Sequence, residues 1–207
     1  MTADDIDSNS RCRLPLVKRD FLDPDALAIY DFHVGGSAQT IRGLRGPGGI
    51  KLHSPKLAKC ARPIGRYLRF EAGFSGRVRE VAILITARCC ESQFEWAAHE
   101  NEALKEGVPV ETIEAIRMGT SLEALDPTDA IIIALGRETF QARKVRSETY
   151  RQALEIFGTR GLVDLAALMG NYASTAAMLT IFDMQLDEGV NPRLPSMTDS
   201  RPATEGR

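Results

Sequence analysis

Glu80, Ser92, Glu95 and His99 are the residues of this chain whose types and spacing could do chemistry together. Glu95 and His99 stand four apart, so on a helix their side chains are neighbours on one face. Ser92 lies three before Glu95 and joins that face. A carboxylate beside an imidazole orients the ring, selects its tautomer and raises its pKa. Such a pair can shuttle a proton. Glu80 opens the apolar run Val81-Ala82-Ile83-Leu84-Ile85. Burying it with that run penalises its ionised form unless a partner meets it. Two plainer readings stand beside these. Glu95 and His99 form a surface pair on a solvated helix, worth little, or Glu80 pairs with Arg77 or another nearby arginine as a structural ion pair.

The remaining chemistry-bearing residues carry less pattern. Cys12, Cys60, Cys89 and Cys90 show no disulfide framework and no paired metal-ligand spacing. A bond between the adjacent Cys89 and Cys90 is geometrically strained, and both read as small packing residues. Phe94 and Trp96 read as core or interface. His33 and His53 have no partner pattern and receive no role. The stretch Gly46 to Gly49 lacks the lysine and spacing of a phosphate loop and reads as a turn. No metal and no organic cofactor is indicated.

The elements that must position these residues are helices. Glu91 to Lys105 has helical character, ended by Gly107 and Pro109. Upstream, Arg77 onward is apolar nearly all round, the mark of a buried helix. Whether the two are broken between Arg88 and Ser92 stays open from sequence. Asp23-Pro24 and Ser54-Pro55 give cap-then-proline starts. The first predicts a helix to about His33. The second predicts one to about Phe70, kinked or broken at Pro63. Gly35 to Gly49 reads as a loop. Short helices follow at Val110 to Met118, Thr128 to Gln141 and Ser147 to Phe157, and a long one runs from Gly161 to about Leu186. No alternating strand pattern persists. The expectation is therefore an all-α domain over residues 20–188, with a flexible arm at 1–19 and a disordered tail at 189–207.

At 207 residues the chain can bury a core without disulfides or metals. Its formal charge of −2 gives no support for nucleic-acid binding. No run reads as a membrane span. The start, MTADDIDSNSRCRL, is acidic and polar, unlike a secretory signal. A cytoplasmic protein is expected.

Together these residues resemble the carboxymuconolactone decarboxylase family, which includes the alkylhydroperoxidase D-like proteins. The family's peroxidase motif is a glutamate, a cysteine twelve on, a second cysteine three later and a histidine four after that. Glu80 and His99 fall at the glutamate and histidine positions, while Ser92 and Glu95 occupy the cysteine positions. Leu52-His53-Ser54-Pro55 and Gly170-Asn171-Tyr172 are similar to a branch lacking the two cysteines. The resemblance extends over about residues 20–188. It implies an alkylhydroperoxidase D-like helical fold and a homo-oligomer, trimer or hexamer. It also implies a lyase acting on a small lactone or carboxylated organic acid. In that reading His99 moves the proton, Glu95 orients it and Glu80 assists as acid or base, all three lining one cavity. The alternatives are a thiol-dependent peroxidase or reductase using Cys89 or Cys90, and a non-catalytic helical oligomer.

Overall fold

The apolar run that follows Glu80 forms the middle of the molecule. In the computed structural model, which describes residues 5–35 and 43–196, the regular structure is eight α-helices, a short 3-10 helix (Arg19–Phe21) and two π-helical turns (Tyr67–Glu71 and Glu138–Ala142), with no strand among the described residues. The α-helices are α1 (Pro24–Val34), α2 (Pro47–Leu52), α3 (Pro55–Arg66), α4 (Gly76–Cys89), α5 (Gln93–Lys105), α6 (Val110–Met118), α7 (Pro127–Arg137) and α8 (Ser147–Ile181). The protein is all-helical, as its patterning predicts.

The caps follow from local chemistry. Asp23 accepts from the Ala26 N–H, with Pro24 in the first turn. Ser75 caps α4, Ser92 caps α5 and Asp126 caps α7 in the same way. Helix α4 is buried from Glu80 to Arg88 and packs against α5, α7 and α8. Val81 to Leu84 are fully enclosed, and Trp96, Ile132, Ile133, Leu165 and Leu168 fill the space around them. Burying one such side chain contributes about 1.5–3 kcal/mol. Helices α1, α2 and α3 pack on one another, and α2 also packs on α8.

Several expectations change. The turn read at Gly46 to Gly49 becomes the start of α2. Pro47 sits in its first turn, while a Cβ on Gly48 would overlap the His33 ring and one on Gly49 the Leu44 carbonyl. The glycines thus permit a close approach that a pattern of polar turn residues does not reveal. Residues 36–42 of the predicted loop lie outside the described residues. Helix α3 runs through Pro63 and passes into a π-helical turn, Tyr67–Glu71. Helix α8 spans both predicted C-terminal helices, with Gly158 at φ 66°, ψ 174° marking the interruption. It ends at Ile181, short of Leu186.

The described part of the arm does not stand apart. The Arg13 N–H donates to the Phe182 carbonyl at 2.8 Å, and the Gln185 N–H donates to the Arg11 carbonyl at 2.9 Å. Cys12 is buried with Ile50, Phe94 and Leu179. Likewise, the tail is held as far as it is described. Gln93 accepts from the backbone N–H groups of Arg193 and Leu194 and donates to the Leu194 carbonyl. Leu194 is buried, and the Arg193 guanidinium pairs with Glu100. Two segments with too little apolar surface to fold alone are fixed by backbone bonds that composition does not encode. Residues 197–207 lie outside the described residues.

By length and composition α8 could also cross a membrane, contrary to the reading that no run approaches that length. Its Leu165, Leu168, Met169, Tyr172, Ala176 and Leu179 are buried within the protein, while Val163 and Ile181 are exposed.

Candidate active site

Helices α4 and α5 form a hairpin broken at Cys90 to Ser92, which settles the question the sequence leaves open. The Ser92 N–H donates to the Ala87 carbonyl, and Ser92 starts α5 as its cap. Glu80 and His99 each lie about three helical turns or fewer from that break. Antiparallel packing sets them side by side. His99 Nδ1 is 2.7 Å from Glu80 Oε2, and both are buried.

Arg79 supports the pair from behind. Its Nε donates to Glu80 Oε1 at 3.2 Å, its Nη1 to the Arg69 carbonyl and its Nη2 to Glu106. The structural partner of Glu80 is therefore Arg79. Arg77 instead holds Asp129. Burial pushes the Glu80 carboxyl up, but the hydrogen bond and charge of His99, then those of Arg79, outweigh it and leave the pKa below its ordinary value. An ionised Glu80 fixes the proton on His99 Nδ1, directing Nε2 the other way.

Glu95 lies on that other side. His99 Nε2 is 3.7 Å from Glu95 Oε2, an ion-pair distance longer than a hydrogen bond. Burial raises the Glu95 pKa, against the opposing charges of His99, Lys51 and Arg69. The plainer reading of a solvated surface pair therefore does not hold, since Glu95 and His99 are both buried. The orienting contact is also exchanged: Glu80, not Glu95, lies at hydrogen-bond distance from His99. The Tyr172 and His99 rings stand nearly perpendicular with centroids 5.2 Å apart, and burial raises the Tyr172 phenol pKa. Ser92 turns back to its own helix, its Oγ receiving the Glu95 N–H at 3.5 Å.

Glu95, His99 and Tyr172 open onto a cavity of about 230 Å³ between α1–α3 on one side and α5 and α8 on the other. That is below the span typical of drug-sized sites and suits a small metabolite. Glu80 is not in the cavity wall, so of the three residues expected to line it, two do and the third stands behind His99. The three do not converge on a point, and no group of three or more His, Cys, Asp or Glu among the described residues could hold a metal ion.

The sequence reading missed several polar wall residues, Arg62 among them. His33, given no role, reaches the cavity, and burial, with the charges of Arg62 and Lys51, lowers its pKa. Lys51 reaches it from α2, its pKa lowered by burial and partly restored by Glu95. Arg69 comes from the π-helical turn, an irregularity frequent at functional sites. Tyr172 comes from α8. A lysine in a glycine-rich stretch and an arginine in a basic helix give no spacing signal. Only Tyr172 had one, through its place in Gly170-Asn171-Tyr172.

Cys89 and Cys90 lie outside the cavity wall, and all four cysteines are free thiols. Burial pushes the Cys89 thiol up to about 12, and it raises Cys90 as well. The chain matches no family model, and no curated protein or solved structure is significantly similar to it.

Proposed function

We propose that this protein is an acid–base enzyme, a carboxymuconolactone decarboxylase-like lyase acting on a small carboxylated lactone or related organic acid. The observation that carries the reading is the buried Glu80–His99–Glu95 chain, in which neighbouring carboxyls are pushed in opposite directions at a cavity wall. Such a division is how one site holds a base and an acid at the same pH. Arg62 and Arg69 in the wall favour an anionic ligand.

Loss of CO2 from the substrate carboxylate leaves its bonding electron pair on the adjacent carbon, delocalised onto a conjugated carbonyl. Glu95, as a neutral acid, donates a hydrogen bond to that oxygen. His99, with Nδ1–H held by Glu80, delivers a proton from Nε2 to the carbon and regains one from water. The enclosing apolar wall strengthens both contacts.

The resemblance to the family supplies the reaction class, and with it an alkylhydroperoxidase D-like fold and a homo-oligomer of trimer or hexamer size, while the acidic, polar start of the sequence supports a cytoplasmic setting. The thiol-dependent reading is weakened by thiols that resist ionisation, since the thiolate is the nucleophile.

The test is CO2 release from a panel of small carboxylated lactones. Turnover by the native chain should fall by about 10²–10⁴ in His99→Ala with helicity retained. Absence of turnover across the panel, or turnover indifferent to His99, favours a non-catalytic helical oligomer.

A further inference from the structure

Lys51 carries a half-buried amine that the proton chain does not use. It lines the same cavity as Glu95 and His99 and has no ion-pair partner among the described residues. The neighbouring wall is apolar at Ile29, Phe32, Ala58 and Phe94 and cationic at Arg62 and Arg69. Desolvation and neighbouring cations are the two conditions that make a lysine nucleophilic at neutral pH. The first acts here: burial lowers the Lys51 pKa, against the opposing charge of Glu95. Helix α2 is set on α1 by Gly48, where a side chain would meet the His33 ring, so the position of Lys51 is fixed by backbone packing.

We infer that Lys51 captures the carbonyl carbon of small oxo acids as an imine, with Glu95 as the proton donor facing it across the cavity. Arginine in the wall takes the ligand carboxylate, and the lysine takes the carbonyl. The inference rests on the cavity being an acid–base site, as proposed above, but not on the lactone reaction.

The step balances without a redox partner. The Lys51 nitrogen lone pair forms the C–N bond while the carbonyl oxygen takes the Glu95 proton. The resulting carboxylate takes one proton back from nitrogen. It returns that proton as the hydroxyl leaves, so one water departs. An iminium on Lys51 then lies in the same cavity as the Glu95 carboxylate. Two charges thus form together in the enclosed site, where each offsets the other's desolvation.

The experiment is borohydride trapping on the full native chain with pyruvate as the probe, read by peptide mass mapping. Borohydride adds hydride to the iminium carbon and leaves a stable secondary amine. Lys51 should be labelled at least about tenfold faster than the exposed Lys56, Lys105 and Lys144 at neutral pH. The exposed lysines should gain rate steeply as pH rises through neutrality, and Lys51 much less so. Glu95→Gln should slow labelling at Lys51 alone, and Lys51→Arg should remove that peptide adduct with helicity unchanged. Labelling of Lys51 no faster than Lys56 or Lys105 overturns the inference. If Lys51 stays unlabelled while His99-dependent lactone turnover persists, only this inference fails. If it is labelled while no lactone is turned over, the lyase reading fails and the amine site stands.

Discussion

Two buried glutamates of this fold have opposite surroundings. Glu138, at the end of α7, accepts from the Arg146 N–H at 2.8 Å, Arg146 Nε at 2.7 Å and the Thr149 hydroxyl at 2.8 Å. Burial raises its carboxyl pKa, and these contacts outweigh it, so the net direction is down. Glu95 is at least as buried, yet its carboxylate receives no hydrogen bond among the described residues, and its pKa moves up. Asp129 resembles Glu138, with Arg77 in a two-point contact and Thr112 completing it. A saturated buried acid is a structural joint. An unsaturated one at a cavity wall remains available to exchange a proton with whatever enters.

The largest expected effect follows from that difference. Glu95→Gln keeps the shape and removes the proton, so kcat/KM on the true substrate should fall by about 10²–10⁴. Its melting temperature should hold or rise, because a poorly satisfied buried acid is gone. A parallel fall in melting temperature and activity would make Glu95 another structural joint and end the comparison.

The converse substitution strikes the saturated side. Arg77→Met leaves Asp129 buried with only Thr112, and should lower stability by about 3 kcal/mol. In a chain of this size that is a drop of about 6–12 °C in Tm. The activity of the folded fraction should be unchanged, which thermal melts paired with active-site titration would check.

The pH dependence sharpens the contrast because the signs oppose. Glu95 has a folded pKa above its ordinary 4.5, so its stabilising proton is fully present below that value and lost as pH rises through the folded pKa. Glu95→Gln should therefore gain stability on the native chain as pH rises. Glu138 has a folded pKa below 4.5, so its contribution is present above that value and fades as pH falls. Glu138→Gln should be less stable at neutral pH and converge with the native chain in acid. Denaturant melts across pH that gave both variants the same slope would contradict the assignment.

How much of this was legible in the sequence depends on whether a contact is local. The Glu95–His99 neighbourhood follows from a spacing of four on one helix, and the all-helical fold follows from apolar periodicity. The Glu80–His99 contact spans nineteen residues and needs the Cys90–Ser92 break, whose one local mark is a serine at the cap position of α5. Hence the sequence placed all three in one cavity wall with Glu95 orienting His99, whereas Glu95 and His99 line the wall and Glu80 makes the orienting contact from behind. Lys51 was invisible because its role comes from α2 docking on α1, through glycines that read equally well as a turn. The arm around Cys12 was misread because its hold on Phe182 and Gln185 is made by backbone atoms.

The smallest expected effect concerns Ser92, which the motif comparison sets at a cysteine position and the helical spacing sets on the face of Glu95. The structure gives it a different task. Its backbone is extended, at φ −81° and ψ 93°, and its hydroxyl oxygen takes an N–H at the start of α5 that has no partner within the helix. The bond is long at 3.5 Å, which places its worth at the lower end for a cap. Ser92→Ala should lower stability by about 0.5–1 kcal/mol and change kcat by less than tenfold, since the hydroxyl is not in the cavity wall. Ser92→Asp should restore the cap, because a carboxylate accepts the same N–H and faces the positive end of the helix dipole. Its buried setting opposes that gain, so recovery should be partial. A kcat loss in Ser92→Ala comparable to that of Glu95→Gln would instead put the hydroxyl among the reacting groups, and the boundary drawn here between cap and acid would have to move by one helical turn.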